Sequence, residues 1–168
     1  MKSAKRQRQF VSYDQAREIA ILCSLHDKEE RDVILHIKDE LEADGKRVRM
    51  LCLANKKSDP EALENLSDDQ ICYQKEFAWT MRPKTDHLKG FVNNRFDVLL
   101  DLSPAKAFPL KYLAVLSPSS YKIGPYHPDF LAIYDLFINA GEECPATELA
   151  RHAVHYLKLI KTPDNHDT

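Results

Sequence analysis

Several short apolar runs end in residues able to do chemistry. Ser24 and His26 close the run EIAILCSL (18–25), Asn55, Lys56 and Lys57 follow VRMLCLA (48–54), and Asp101, Ser103 and Lys106 close FDVLLDL (96–102). Gly124, Tyr126 and His127 come at the end of the brief run 121–124, and Lys111 lies in the segment after Lys106. A carboxylate, a histidine and a lysine meeting in one cleft could pass protons as general acid and base, or hold an anionic group. The same residues have plainer uses. Asp101 or Ser103 could cap the next helix, and Lys56 and Lys57 could simply be solvated. The candidate ligand-binding set is Ser24, His26, Asp101, Ser103, Lys106, Lys111, Gly124 and His127, with no catalytic role and no metal ligand assigned.

What is missing narrows the chemistry further. The chain has four glycines, at 45, 90, 124 and 141, and none form GxGxxG after the first run or GxxxxGK[ST] anywhere. Without those glycines the loop SLHDKEE cannot bring its backbone against a pyrophosphate in the usual way, so no nucleotide or flavin cofactor is expected. His152 and His155 sit three apart, but no third ligand joins them in the next turn, and a metal site needs three or four. Cys23, Cys52, Cys72 and Cys144 contain no CxxC pair, and are read as buried reduced thiols behaving as small hydrophobes. No GxSxG elbow is present. The lone Trp79, between Phe77 and Met81, is expected to anchor a long loop by packing inward.

These residues need a scaffold, and hydrophobic spacing supplies one. The run 18–25 has the length of a buried strand. Asp27 with Glu30 three residues on resembles a capping box, and Val33, Ile34, Ile37 and Leu41 recur at helical spacing up to Gly45. With 48–54 as a second strand, the span makes a right-handed βαβ unit. Residues 55–69 predict a loop with a short helix at 61–66, 71–73 a short strand, 84–94 a helix, and 96–102 a central strand covered on both faces. A helix is expected over 110–116, a very short strand over 121–124, and either a strand or a short helix and a strand over 130–138. The apolar stripe over 146–160 reads as a closing helix. Alternation of this kind implies a three-layer, Rossmann-like or flavodoxin-like α/β sandwich with a mainly parallel sheet of five or six strands. Ligands in such folds bind beyond the carboxyl ends of the strands, where the candidate residues lie.

A length of 168 residues suits one domain, expected at 17–161 between a basic N-terminal arm (1–16) and a disordered tail (162–168). Charged residues at 30% and apolar ones at 43% are ordinary globular values, and a formal charge of −2 gives no global electrostatic case for nucleic acid or an anionic membrane surface. The arm carries Lys2, Lys5, Arg6 and Arg8 and is expected to be mobile or a short leading helix; four charges leave only a weak footprint for RNA. The N-terminus lacks the apolar stretch of a secretory signal, and no run approaches ~18 apolar residues. With reduced cysteines, this predicts a cytoplasmic protein.

The strings FVNNRFDVLLDLSPAKAFPLKYLAVLSPSSYKIG, YDLFI and HYLKLI, with YDQAREIAIL and KEFAWTMRPK, resemble an uncharacterised family of short bacterial α/β proteins of unknown function. The resemblance runs over roughly residues 10 to 160. It implies the fold, the cytoplasm and a bacterial origin, and supplies no activity. FDVLLDL and Lys122-Ile123-Gly124 are also faintly similar to the N-terminal Rossmann-like domain of heptosyltransferase-like glycosyltransferases. The second, nucleotide-sugar domain of that family has no counterpart in these 168 residues, so the similarity implies architecture rather than catalysis.

The leading expectation is a non-catalytic interaction or regulatory module, partnered by a second copy as a homodimer or by an unidentified protein. One alternative is a small enzyme or ligand-binding protein acting on a phosphate- or sugar-bearing metabolite at the strand ends. Another is RNA or ribosome association through the basic arm. No membrane partner is expected, and nucleic acid is disfavoured.

Overall fold

The computed structural model describes residues 6–55, 57–139, 141 and 144–160. Six strands form one sheet: β1 (Glu18–Ser24), β2 (Arg47–Ala54), β3 (Ile71–Tyr73), β4 (Val98–Asp101), β5 (Tyr121–Pro125) and β6 (Leu136–Ile138). Their order is β3-β2-β1-β4-β5-β6, and every neighbouring pair is parallel. The chain works outward from β1 to β3, then crosses back so that β4 lies against the other side of β1. That reversal makes the β1/β4 junction the switch point of a Rossmann-type sheet.

Helices cover both faces. α1 (Lys28–Ala43) and α4 (Ala146–Leu159) pack Ile34, Ile37, Leu41, Ala150 and Leu157 against Ile19, Ile21 and Cys23. α2 (Asp86–Asn93) and α3 (Phe108–Leu116) pack Leu88, Phe91, Leu110 and Leu113 against Ala20 and Leu22 on the opposite face. Alternate residues of β1 thus enter different cores, so both must be apolar and the strand reads as an unbroken hydrophobic run. β4 shows the same pattern, with all four of its residues buried.

Local signals set the helix ends. The Asp27 side chain accepts from the Glu30 backbone N–H at 2.9 Å, while the Glu30 carboxylate accepts from the His26 N–H at 2.8 Å, one residue earlier than a standard capping box. Gly45 follows α1 with φ +82°, a left-handed conformation that glycine adopts at little cost. Pro109 sits in the first turn of α3, where its missing N–H is harmless. The helix expected at 61–66 is a single 3₁₀ turn at Pro60–Leu63, and 130–138 resolves into a 3₁₀ turn at Pro128–Phe130 followed by β6. The buried Arg31 of α1 donates to the Glu61 and Glu64 carbonyls, and so ties the β2–β3 connection down.

Two expectations are corrected here. Residues 6–16 are neither a mobile arm nor a helix: Arg6 makes a bidentate pair with Asp135 at 2.7 and 2.8 Å, the Gln9 N–H donates to the Ser120 carbonyl at 3.0 Å, and Val11, Ser12 and Ala16 are buried. Arg8 also approaches Asp135, at 3.4 Å. Two of the four arm cations are therefore compensated inside the fold; Lys2 and Lys5, like the tail 162–168, lie outside the described residues. Secondly, Cys23 and Cys52 are register partners across β1 and β2, 4.7 Å apart at Cα and disulfide-bonded. Parallel pairing placed them side by side, which no sequence spacing announces, and the argument for the cytoplasm from reduced cysteines loses force. Cys72 and Cys144 remain free thiols. Among the described residues no helix is long and apolar enough to cross a membrane.

Candidate functional site

The carboxyl ends of the strands carry three features. The first is a sealed polar cluster. Asp101 ends β4 with its side chain fully buried, and its Oδ1 accepts from the Ser103 N–H at 2.9 Å and from the Ser103 hydroxyl. Its Oδ2 accepts from Lys111 Nζ at 2.9 Å and from the Tyr134 phenol. Lys111, reaching back from α3, also donates to the Ser103 carbonyl at 3.0 Å and to its hydroxyl at 2.9 Å. The ammonium thus uses all three donors and the carboxylate is met on both oxygens, which is the condition for keeping such a pair in a core. Burial first, and then the Asp101 charge, push the Tyr134 phenol far above its ordinary range, so it remains a donor. Cut off from solvent, this cluster braces the β4–α3 connection and the segment before β6.

Gly124 completes the brace. A Cβ at this position overlaps three ring atoms of Tyr134, so only glycine lets the phenol lie across β5. Gly124→Ala is expected to displace the ring and its bond to Asp101, costing about 1–3 kcal/mol as overpacking; unchanged stability in urea unfolding would show that the ring has room to move.

The second feature is an open cleft of about 530 Å³ between the loops that follow β4, β5 and β6. Pro125, Tyr126, His127, Lys106, Ile138 and Cys144 line it. His127 Nδ1 accepts from the Asp129 N–H at 3.2 Å, which places the ring hydrogen on Nε2. Desolvation first, with the Glu148 charge behind it, raises the Cys144 thiol above its ordinary value, so it stays protonated.

The third feature is a hairpin projecting between β3 and α2. Phe77 and Pro83 form an antiparallel bridge; the Ala78 N–H donates to the Arg82 carbonyl at 2.8 Å, and the Met81 N–H to the Ala78 carbonyl at 2.8 Å. Trp79 stands at the tip and is 93% exposed. This corrects the inward-packed anchor expected for it. The turn closes with Met81 at φ +64°, a left-handed conformation uncommon for a side chain with Cβ.

A family model covers residues 1–160. The chain belongs to a family of unknown function, DUF6913. No curated protein matches it. Among solved structures, the DUF6913 chain is similar to E. coli heptosyltransferase WaaC with ADP-2-deoxy-2-fluoro heptose, at 11% identity and TM-score 0.47, over 88% of this chain and 50% of that one. The chain therefore spans half the length of that structure, and the resemblance carries no argument about activity.

The candidate residues of this DUF6913 chain divide between these features. Asp101, Ser103, Lys111 and Gly124 converge in or against the sealed cluster, whereas Lys106 and His127 line the cleft. Ser24 is buried at the end of β1, and His26 is spent on the start of α1, with its Nδ1 3.2 Å from Glu30 Oε2. Asn55 accepts from the Lys57 N–H at 2.7 Å, and Lys56 lies outside the described residues. His152 lies 3.7 Å from Glu148, and no group of three metal-ligating side chains exists among the described residues. Tyr134 and Cys144 were not anticipated. Tyr134 sits 33 residues from Asp101, and no local spacing signals that contact.

Proposed function

We propose that this protein is a non-catalytic interaction module, and that the hairpin spanning 77–83 docks a protein partner. The observation that carries the reading is the exposure of Trp79. An aromatic side chain buries roughly 150–250 Å², so leaving one in water forgoes roughly 4–6 kcal/mol. The Ala78–Met81 turn, closed with Met81 at φ +64°, puts Trp79 at the hairpin tip. The hairpin also carries Met81 and Arg82, and Tyr73, 38% exposed, ends the strand that leads into it. Trp, Tyr, Met and Arg are residue types enriched at protein interfaces, and Trp, Tyr and Arg are enriched among hot spots.

The charge around the tip describes the partner. Among the described residues neither Arg82 nor Lys84 is in an ion pair, and Lys75 lies over the Tyr73 ring at 5.6 Å. A fitting surface offers an apolar pocket for an indole, rimmed by carboxylates. A cytoplasmic setting belongs to the same proposal; the free thiols of Cys72 and Cys144 support it and the Cys23–Cys52 bond opposes it.

Trp79 is the only tryptophan, so intrinsic fluorescence reports on this hairpin alone. The native protein is expected to emit like a water-exposed indole, to be quenched by acrylamide nearly as fully as unfolded chain, and to shift little on unfolding in guanidinium. A photo-crosslinker at position 79 is expected to give a discrete adduct in cells that Arg82→Glu with Lys84→Glu abolishes. Blue-shifted native emission, or adducts indifferent to those charge reversals, would remove the reading.

A further inference from the structure

We infer that the partner taken by the hairpin is a second copy of this chain, whose groove between α1 and α4 receives Trp79. The inference rests on the docking role proposed for the hairpin and names the partner.

The groove encloses about 930 Å³ between two helices that run the same way, since Lys158 near the end of α4 meets Glu40 near the end of α1. Val33, Ile37 and Val154 are its apolar lining, the last two buried and so at the bottom. Its walls differ in charge. The α1 wall carries Glu29, Asp32 and Glu40 against one ammonium, Lys28, whereas the α4 wall carries Arg151 and Lys158. Glu40 and Lys158 are spent on each other. Glu29 and Arg151 are in no ion pair among the described residues, and Asp32, its side chain 57% exposed, gives only Oδ1 to Arg31. The groove therefore offers a partner two carboxylates on one wall and one guanidinium on the other.

The hairpin carries the complement. The bridge from Pro83 to Phe77 keeps residues 82–84 extended, so Arg82 and Lys84 share one side, roughly 7 Å apart. Glu29 and Asp32, three apart on a helix, share one face at roughly 5–6 Å. Two cations thus match two carboxylates in sign and in spacing. Val33 follows Asp32, so an indole at the hairpin tip comes down on the apolar bottom. Arg151, on the opposite wall, can lie against its face as a cation on a π-system. Hairpin and groove are different patches, which makes the contact head to tail: every added copy leaves one hairpin and one groove open.

Sedimentation velocity and Trp79 emission on the full-length protein test this. A contact this small is expected to have a dissociation constant on the order of 100 µM. At about 1 µM the chain should be monomeric with water-exposed emission; toward about 1 mM its mean mass should pass that of a dimer while emission moves to the blue. Trp79→Ser, and separately Glu29→Lys with Asp32→Lys, should each associate about tenfold more weakly. All three positions are exposed, and circular dichroism checks that the variants stay folded. Mixed in equal parts, these two proteins should pair and stop at two, because one keeps its groove and the other its hairpin. Adding Arg82→Glu and Lys84→Glu to the groove-reversed chain should restore its self-association. Wild type monomeric at about 1 mM, Trp79→Ser associating as wild type does, or no pairing in the mixture would each overturn the second copy as partner, leaving the hairpin reading to its own test. Blue-shifted emission already at about 1 µM would strike the hairpin reading itself.

Discussion

Replacing Asp101 with alanine is expected to cost about 3–5 kcal/mol, the range for removing one partner of a buried ion pair. The substitution strands the Lys111 ammonium, 3% exposed as a residue, and takes the acceptor from the Tyr134 phenol and from the Ser103 N–H. Domains of this size are stable by only about 5–15 kcal/mol, so the variant should unfold at far lower denaturant or fail to accumulate. Asp101→Leu combined with Lys111→Met tests the mechanism. It removes both charges together, and should recover much of the loss because no unpaired charge is left in the core. Urea unfolding of the three proteins reads the effect. A cost below about 1 kcal/mol for Asp101→Ala would mean that water reaches Lys111 and that the cluster is not sealed.

Lys122 is expected to make stability rise with pH, the reverse of what a paired lysine does. It stands on β5 with its Nζ donating to the Ala114 and Val115 carbonyls at the end of α3. Burial, followed by the charge of Arg6, lowers its ammonium from the ordinary 10.5 to about 7, although Asp135 partly opposes them. Between those values the unfolded chain holds a proton that the native protein has shed, so unfolding free energy climbs with pH by up to about 1.4 kcal/mol per unit. Below about 7 both states are protonated and above 10.5 neither is, and this contribution is flat in both regions. Tyr13, Tyr134 and Cys72 are all raised, and remove stability as pH passes their ordinary values of 9 to 10. The comparison is therefore wild type against Lys122→Met, by guanidinium unfolding at pH 7.5 and pH 9. Wild type should gain about 1–2 kcal/mol over the variant across that interval. A constant difference would show that the helix-end carbonyls keep Lys122 charged throughout.

Much of the scaffold could be read from local pattern. Glu18–Ser24 and Val98–Asp101 announce strands covered on both faces, because the cores on either side each demand apolar residues. Asp27, Gly45 and Pro109 mark helix ends through bonds and φ values that depend on near neighbours alone. The site was legible only in part. Residues at the strand ends were the right place to look, but whether a side chain there is sealed or open depends on what packs over it. Asp101 disappears beneath Tyr134 and Lys111, while His127, at the end of a neighbouring strand, stays open to the cleft.

By itself, then, the sequence determined the element order, the parallel α/β architecture and the edge at which polar groups gather, since periodicity and caps act over a few residues. Only the tertiary structure decided the rest: that Arg6 closes on Asp135 across 129 residues, that Cys23 meets Cys52 in register, and that Trp79 stands outward on its turn. Those outcomes follow from which surfaces meet when the two halves of the sheet join at β1 and β4. Contacts between distant segments leave no period in the chain, because each is made once.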